Sequence, residues 1–207
     1  MQILSLATGP IGTNTYLAFD EETKKCFMVD PGGYNKAFTD KIHELGLDLE
    51  YIILTHGHAD HIMGVPAFQK DFPDVKVVAS KDEAAMLSDT NFNMSGQFGG
   101  PTTITADISV EDGDHLQVGN LDLEFLMTPG HSPGGMCVSI ASELTLFSGD
   151  TLFHASIGRT DFPGCSYPAL VEAVHEKLWK LPDETQVFPG HMGPTQIGFE
   201  KANNPFV

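Results

Sequence analysis

A chain of 207 residues, 41% hydrophobic and 19% charged, has the length and apolar content for one sizeable core; no linker or low-complexity segment interrupts it, so a single domain over residues 1–207 is expected. Against 28 Asp and Glu stand 11 Lys and Arg, a formal charge of −17 that argues against nucleic acid and anionic membrane as partners. Three widely spaced cysteines, Cys26, Cys137 and Cys165, argue against a disulfide framework and fit a reducing, cytoplasmic location.

The chain turns into strand pattern at once, with no basic leader and no apolar run long enough to span a bilayer. Strands over Gln2–Ala7, Thr13–Phe19 and Lys25–Val29 form a meander, and a helix over Lys36–Leu45 closes on Gly46 as its C-cap. A buried strand at Tyr51–Leu54 leads through a loop into a helix from Ile62 to Lys70. Val75–Ala79 reads as a strand, Lys81–Leu87 as helical, and Asn91–Thr105, with Gly, Asn, Pro and no period, as a long surface loop. Leu116–Val118, the turn Gly119-Asn120 and Leu121–Met127 spell a hairpin. Met136–Ile140 and Leu144–Phe147 form a second pair, Pro168–Lys180 an amphipathic helix, Gln186–Phe188 a last strand and Thr195–Ala202 a short helix. The halves echo one another, since each contains a hairpin that delivers an Asp at a strand end, Asp30 in one and Asp150 in the other. Two sheets, each flanked by helices on its outer side, account for the echo, so the expected class is α/β with a four-layer α/β/β/α sandwich.

The chemistry concentrates in His56-Gly57-His58-Ala59-Asp60-His61, at the carboxyl end of the Tyr51–Leu54 strand, where open α/β sheets bind ligands. Imidazole and carboxylate together suit zinc, iron or manganese. Three later segments repeat the theme of strand, tight turn and ligand: Pro129-Gly130-His131, Ser148-Gly149-Asp150 and Pro189-Gly190-His191. Each alone is a weak signal; with the first cluster they make five His and two Asp.

In that order these motifs resemble the metallo-β-lactamase-fold superfamily, and specifically its glyoxalase II-like hydrolases. Val29-Asp30-Pro31-Gly32-Gly33, Asp112-Gly113-Asp114, Gly158-Arg159-Thr160-Asp161-Phe162-Pro163 and Asn204-Pro205-Phe206 extend the likeness to the short single-domain bacterial subgroup. The resemblance implies a first metal held by His56, His58 and His131, a second held by Asp60, His61 and His191, and Asp150 bridging them. It implies two divalent ions, zinc first with iron or manganese acceptable, and a hydroxide between them that Asp60 orients. Asp30 would stand behind a ligand and orient it, and Arg159 would bind the substrate.

A thioester such as S-lactoylglutathione suits this set, because a thiolate with an unperturbed pKa of about 8.5 leaves without a general acid. Longer glyoxalase II enzymes carry a C-terminal helical domain that contacts glutathione, and the short segment after His191 offers no counterpart. Arg159 has a competing use in an ion pair with Asp161. The nearest rival is a persulfide dioxygenase with one iron on His56, His131 and Asp150. A β-lactamase, a flavodiiron protein, an RNA-processing nuclease and a non-catalytic metal binder fit the ligand pattern or the charge less well. His43, His115, His154 and His175 read as ordinary surface or helix-face residues.

Overall fold

Side chains that alternate at period two along every long strand need cover on both faces, and the chain supplies it by stacking two sheets. The computed structural model describes residues 1–207. The first sheet holds β1 (Gln2–Thr8), β2 (Thr13–Phe19), β3 (Lys25–Val29), β4 (Asp48–Leu54), β5 (Lys76–Ser80) and β6 (Ile108–Val110), in that spatial order. It is antiparallel through β3 and parallel from β3 to β6. The second half contributes β7 (His115–Val118), β8 (Leu121–Met127), β9 (Met136–Ile140) and β10 (Thr145–Gly149), then a small separate hairpin of β11 (Leu152–Phe153) and β12 (Ser156–Ile157). Two further strands, β13 (Gln186–Pro189) and β14 (Thr195–Gln196), complete a second sheet of order β14-β13-β10-β9-β8-β7.

Three apolar clusters define the layers. Between the sheets lie Phe27, Val29, Ile53 and Val78 from the first and Leu123, Phe125, Val138 and Phe147 from the second. Tyr16 and Phe27 both pack on Phe147, with ring centroids 5.3 and 5.9 Å apart; such pairs add about 0.5–1.5 kcal/mol each beyond area burial. The alternate residues, Leu17, Met28, Ile52 and Val77, face outward onto α1 (Lys36–Leu45), α2 (Ala59–Ile62), α3 (Val65–Asp71) and α4 (Ala84–Ser88). On the far side Cys137, Leu146 and Val187 meet α5 (Tyr167–Glu176) and α6 (Ile197–Asn203). The order of layers is therefore α/β/β/α, as expected from the sequence.

Several expected elements shift. The single helix over Ile62–Lys70 is two, α2 and α3, divided at Met63-Gly64. Gly64 donates its backbone N–H to the Pro31 carbonyl at 2.7 Å, and a Cβ there would come within 2.6 Å of that oxygen. The break is thus imposed by tertiary contact, and it leaves Asp60 and His61 on the short α2 instead of on a loop. Lys81–Glu83 forms a 3₁₀ turn ahead of α4, and Leu178–Lys180 another after α5. Residues 91–105 run mostly without regular structure, apart from a 3₁₀ turn at Ser95–Phe98. The strands β6, β11, β12 and β14 are too short to show a period. No helix is long and apolar enough to cross a membrane.

Candidate metal centre

Five chain segments leave the same edge of the two sheets and converge. His56 follows β4 by two residues, His131 lies beyond β8, Asp150 directly after β10 and His191 two residues after β13. Asp30 directly follows β3 and takes φ +48°, a left-handed conformation that Asp tolerates better than most residues. Backbone bonds stitch the sheets here: Met136 N–H donates to Thr55 O at 2.9 Å and Asn14 N–H to Gly190 O at 2.7 Å, while within the second sheet Gly190 N–H donates to Gly149 O at 2.8 Å. Gly190 has no room for a side chain, since a Cβ would lie 2.4 Å from Asp150 Oδ1 and 2.6 Å from His61 Cε1.

All seven residues singled out as ligands meet at this edge. His56, His58 and His131 form one group of nitrogen donors, and Asp60, His61 and His191 another. His58 Nδ1 and His131 Nε2 face each other at 2.9 Å. His61 Nε2 lies 3.3 Å from Asp60 Oδ2 and 3.4 Å from Asp150 Oδ1. His191 Nε2 is 3.1 Å from Asp60 Oδ2. Asp150 Oδ2 stands between the groups, 3.5 Å from His131 Nε2 and 3.7 Å from His191 Nε2.

Tautomers are set from behind. His131 Nδ1 donates to the Arg159 carbonyl at 2.7 Å, which leaves Nε2 bare. His61 Nδ1 donates to Asp30 Oδ2 at 2.9 Å, and Asp30 also accepts from Thr55 N–H at 2.8 Å and Thr55 Oγ1 at 2.6 Å. Asp30, His56 and His61 also satisfy the spacing of a metal triad. Both oxygens of Asp30 already accept hydrogen bonds, and one of them accepts from His61 Nδ1.

Buried charge separates the cluster into two states. Burial holds His56 well below the usual imidazole pKa and His58 at about 3, reinforced in each by neighbouring imidazoles. Burial also lowers His131, against the pull of Asp150. For His61, burial opposes the charge, but Asp60, Asp150 and Asp30 outweigh it and raise the pKa well above normal. Asp60 and Asp150 are themselves held low by His61 despite burial. The buried His56 Nε2, His61 Nε2 and Asp150 Oδ1 have no hydrogen-bond partner. Orphaned buried donors and acceptors are costly, and these three belong to one cluster of imidazoles and carboxylates. The donor set therefore fits metal ions.

Sequence reasoning missed several supports. Glu83, buried at the end of a 3₁₀ turn, accepts from Gly57 N–H at 2.9 Å and Gly134 N–H at 2.6 Å, so it ties the loop carrying His56 and His58 to the one carrying His131. Thr13 Oγ1 donates to Asp60 Oδ2 at 2.8 Å. Asn14 Nδ2 donates to the carbonyls of Pro189 at 3.0 Å and Met192 at 2.8 Å, and Tyr16 Oη to Pro189 O at 2.6 Å, which fixes the His191 turn. No local spacing announces any of these.

Above the donors opens a cleft of about 610 Å3, walled by Ile11, Met94, Phe98, Phe153, Phe162 and Met192. Arg159 is at its edge, with its guanidinium paired to both oxygens of Asp161 at 2.9 and 2.8 Å and stacked 4.2 Å from the Phe162 ring. The two readings of Arg159, cleft residue and partner of Asp161, coexist. His154 packs on Phe199 and His43 on Phe72, both away from the donors. His115 pairs with Asp122, and His175 lies near Trp179. Cys165 donates its Sγ hydrogen to the His131 carbonyl at 2.8 Å, and burial raises its pKa.

A four-layer α/β/β/α frame with a His- and Asp-lined metal centre on one edge defines a class of metalloprotein. The model of the metallo-beta-lactamase superfamily matches residues 8–191, and the chain belongs to that superfamily. It is 34% identical over 198 residues to hydroxyacylglutathione hydrolase GloC of Haemophilus influenzae, covering 94% of this chain and 92% of that one. It is 35% identical over 182 residues to human mitochondrial persulfide dioxygenase ETHE1, covering 86% of this chain and 63% of the relative. Among solved structures, the BLEG-1 B3 metallo-beta-lactamase superimposes with a TM-score of 0.91 at 36% identity over 99% of both chains. TTHA1623 in a di-iron-bound form gives 0.85 at 30% identity over 99% of this chain and all of that one.

Proposed function

We propose that the protein is a metal-dependent hydrolase of small thioesters, with S-lactoylglutathione as the reference substrate and two divalent ions, zinc first among them, as cofactors. One ion would be held by His56, His58 and His131, the other by Asp60, His61 and His191, with Asp150 shared. The position of Asp150 carries the reading: its two oxygens lie 3.4 Å from His61 Nε2 and 3.5 Å from His131 Nε2, so one carboxylate faces both donor groups. Bound in such a pair, the ions supply Lewis acidity and bring the pKa of a water to near neutrality.

The chain's own residues do the rest. Asp60 is held low in pKa and anchored by Thr13, so it stays a carboxylate and accepts a hydrogen bond from the attacking water instead of donating one. The apolar walls offer the substrate a surface to pack against beside the donors. Asp60 and Asp150 are the only acidic side chains lining the cleft. Both belong to the donor set, which leaves no general acid for an amine leaving group. A thiolate, of unperturbed pKa about 8.5, needs none. This absence supports a thioester over an amide.

The test is hydrolysis of S-lactoylglutathione by metal-reconstituted protein, followed by loss of thioester absorbance, with a chelator control. Turnover abolished by chelation is expected; its absence from protein with bound metal would sink the reading. The likeness to persulfide dioxygenase ETHE1 favours a second reading. In it a single iron is held by His56, His131 and Asp150. One iron per chain and oxygen uptake with a perthiol substrate would establish that alternative, and a β-lactam in the same panel tests the activity named for BLEG-1.

A further inference from the structure

The cleft wall combines an apolar rim with a single basic side chain. Its outer rim is apolar and open: Ile11 is 56% exposed, Met192 59% and Phe98 39%. Met94 and Met192 hold their places with φ of +66° and +67°, a conformation that costs free energy for a residue of this size. Arg159 is the one lysine or arginine lining the cleft. Both arms of its guanidinium used for the carboxylate of Asp161 are engaged in a two-pronged pair, and its face lies on Phe162. A carboxylate on the substrate would have to compete with Asp161 for the one guanidinium of the cleft.

The geometry points to a substrate whose thiol half is uncharged and partly apolar, of the N-acylcysteamine or pantetheine type, in preference to the glutathione half with its two carboxylates and one ammonium. The inference deepens the thioesterase reading above and rests on it. Ile11, Phe98 and Met192 receive the chain of the thiol, and the methionines, unbranched and polarisable, adapt to its shape. The Arg159–Asp161 pair acts as a closed fork: neutral as a unit, it presents a polar edge to an amide group of the chain but no unpaired charge to a carboxylate.

Two thioesters with the same lactoyl group, S-lactoyl-N-acetylcysteamine and S-lactoylglutathione, separate the possibilities. With metal-reconstituted full-length protein, kcat/KM is expected to favour the uncharged thioester by about tenfold, mostly through KM. In Asp161→Asn the fork opens, and the ratio is expected to move several-fold toward the glutathione thioester; Arg159→Gln, which removes the charge released by that change, is expected to leave the preference for the uncharged substrate. Turnover of both with the glutathione thioester equal or preferred overturns the inference and leaves the thioesterase reading standing. Turnover of neither overturns both.

Discussion

The two halves of the metal centre use the same kinds of side chain in opposite electrostatic states. His56, His58 and His131 are held neutral by burial and by one another. On the other side His61 sits among Asp30, Asp60 and Asp150, which raise its pKa well above normal against the cost of burial. The first half would therefore meet a metal ion with its donors already bare, whereas the second would have to exchange a proton for the ion. Similar ligand lists do not make equivalent sites: the carboxylates behind an imidazole decide how much acid the metal has to displace.

Removing what the halves share has the largest expected effect. Asp150→Ala should lower kcat for the thioester by on the order of 10²–10³ and deplete metal from both halves, measured by elemental analysis beside the assay. Asp30→Asn keeps the backbone preference but weakens the bond to His61 Nδ1. Metal affinity on the His61 side should fall about 10–100-fold with the other side little changed, as read by chelator competition; equal losses would erase the distinction. Acid should discriminate next. His61 has a raised pKa, so below it each pH unit should weaken that side about tenfold, while His58, with a pKa of about 3, stays neutral through pH 5. Calorimetry in buffers of different ionisation enthalpy should accordingly find about one proton released on metal uptake at neutral pH. The smallest effect is Thr13→Val, which frees Asp60 from its 2.8 Å hydrogen bond; a loss of about 1 kcal/mol corresponds to about a five-fold lower kcat.

The donor cluster was legible in the sequence because most of its members are local: His56, His58, His131, Asp150 and His191 each stand beside a Gly just after an apolar strand. The four layers were legible because Leu17, Phe27, Ile53 and Val138 keep the period of two that sorts them between the layers. Glu83, Thr13 and Asn14 were not, because their partners Gly134, Asp60 and Pro189 lie far along the chain and no spacing records the contact. The same applies to the division at Gly64. Ile62, Val65 and Phe68 keep helical spacing, and it is the Pro31 carbonyl, from another segment, that interrupts them. For Arg159, the two-residue spacing to Asp161 revealed the ion pair, while the use of its carbonyl by His131 is a backbone contact that no side-chain pattern encodes.

Glu83 and the bond from Met136 to Thr55 span the line along which the sheets meet, and the donor set is divided across that line. An unfolded chain brings together the neighbours His56, His58 and His61 but not His131, Asp150 or His191. Ion binding and docking of the sheets would thus be one cooperative event, with the metal as a thermodynamic rivet: at a concentration a hundred times its dissociation constant it would add about 2.7 kcal/mol to the folded state. The melting temperature should rise as metal is titrated in, so that heat resistance reports on occupancy without any substrate.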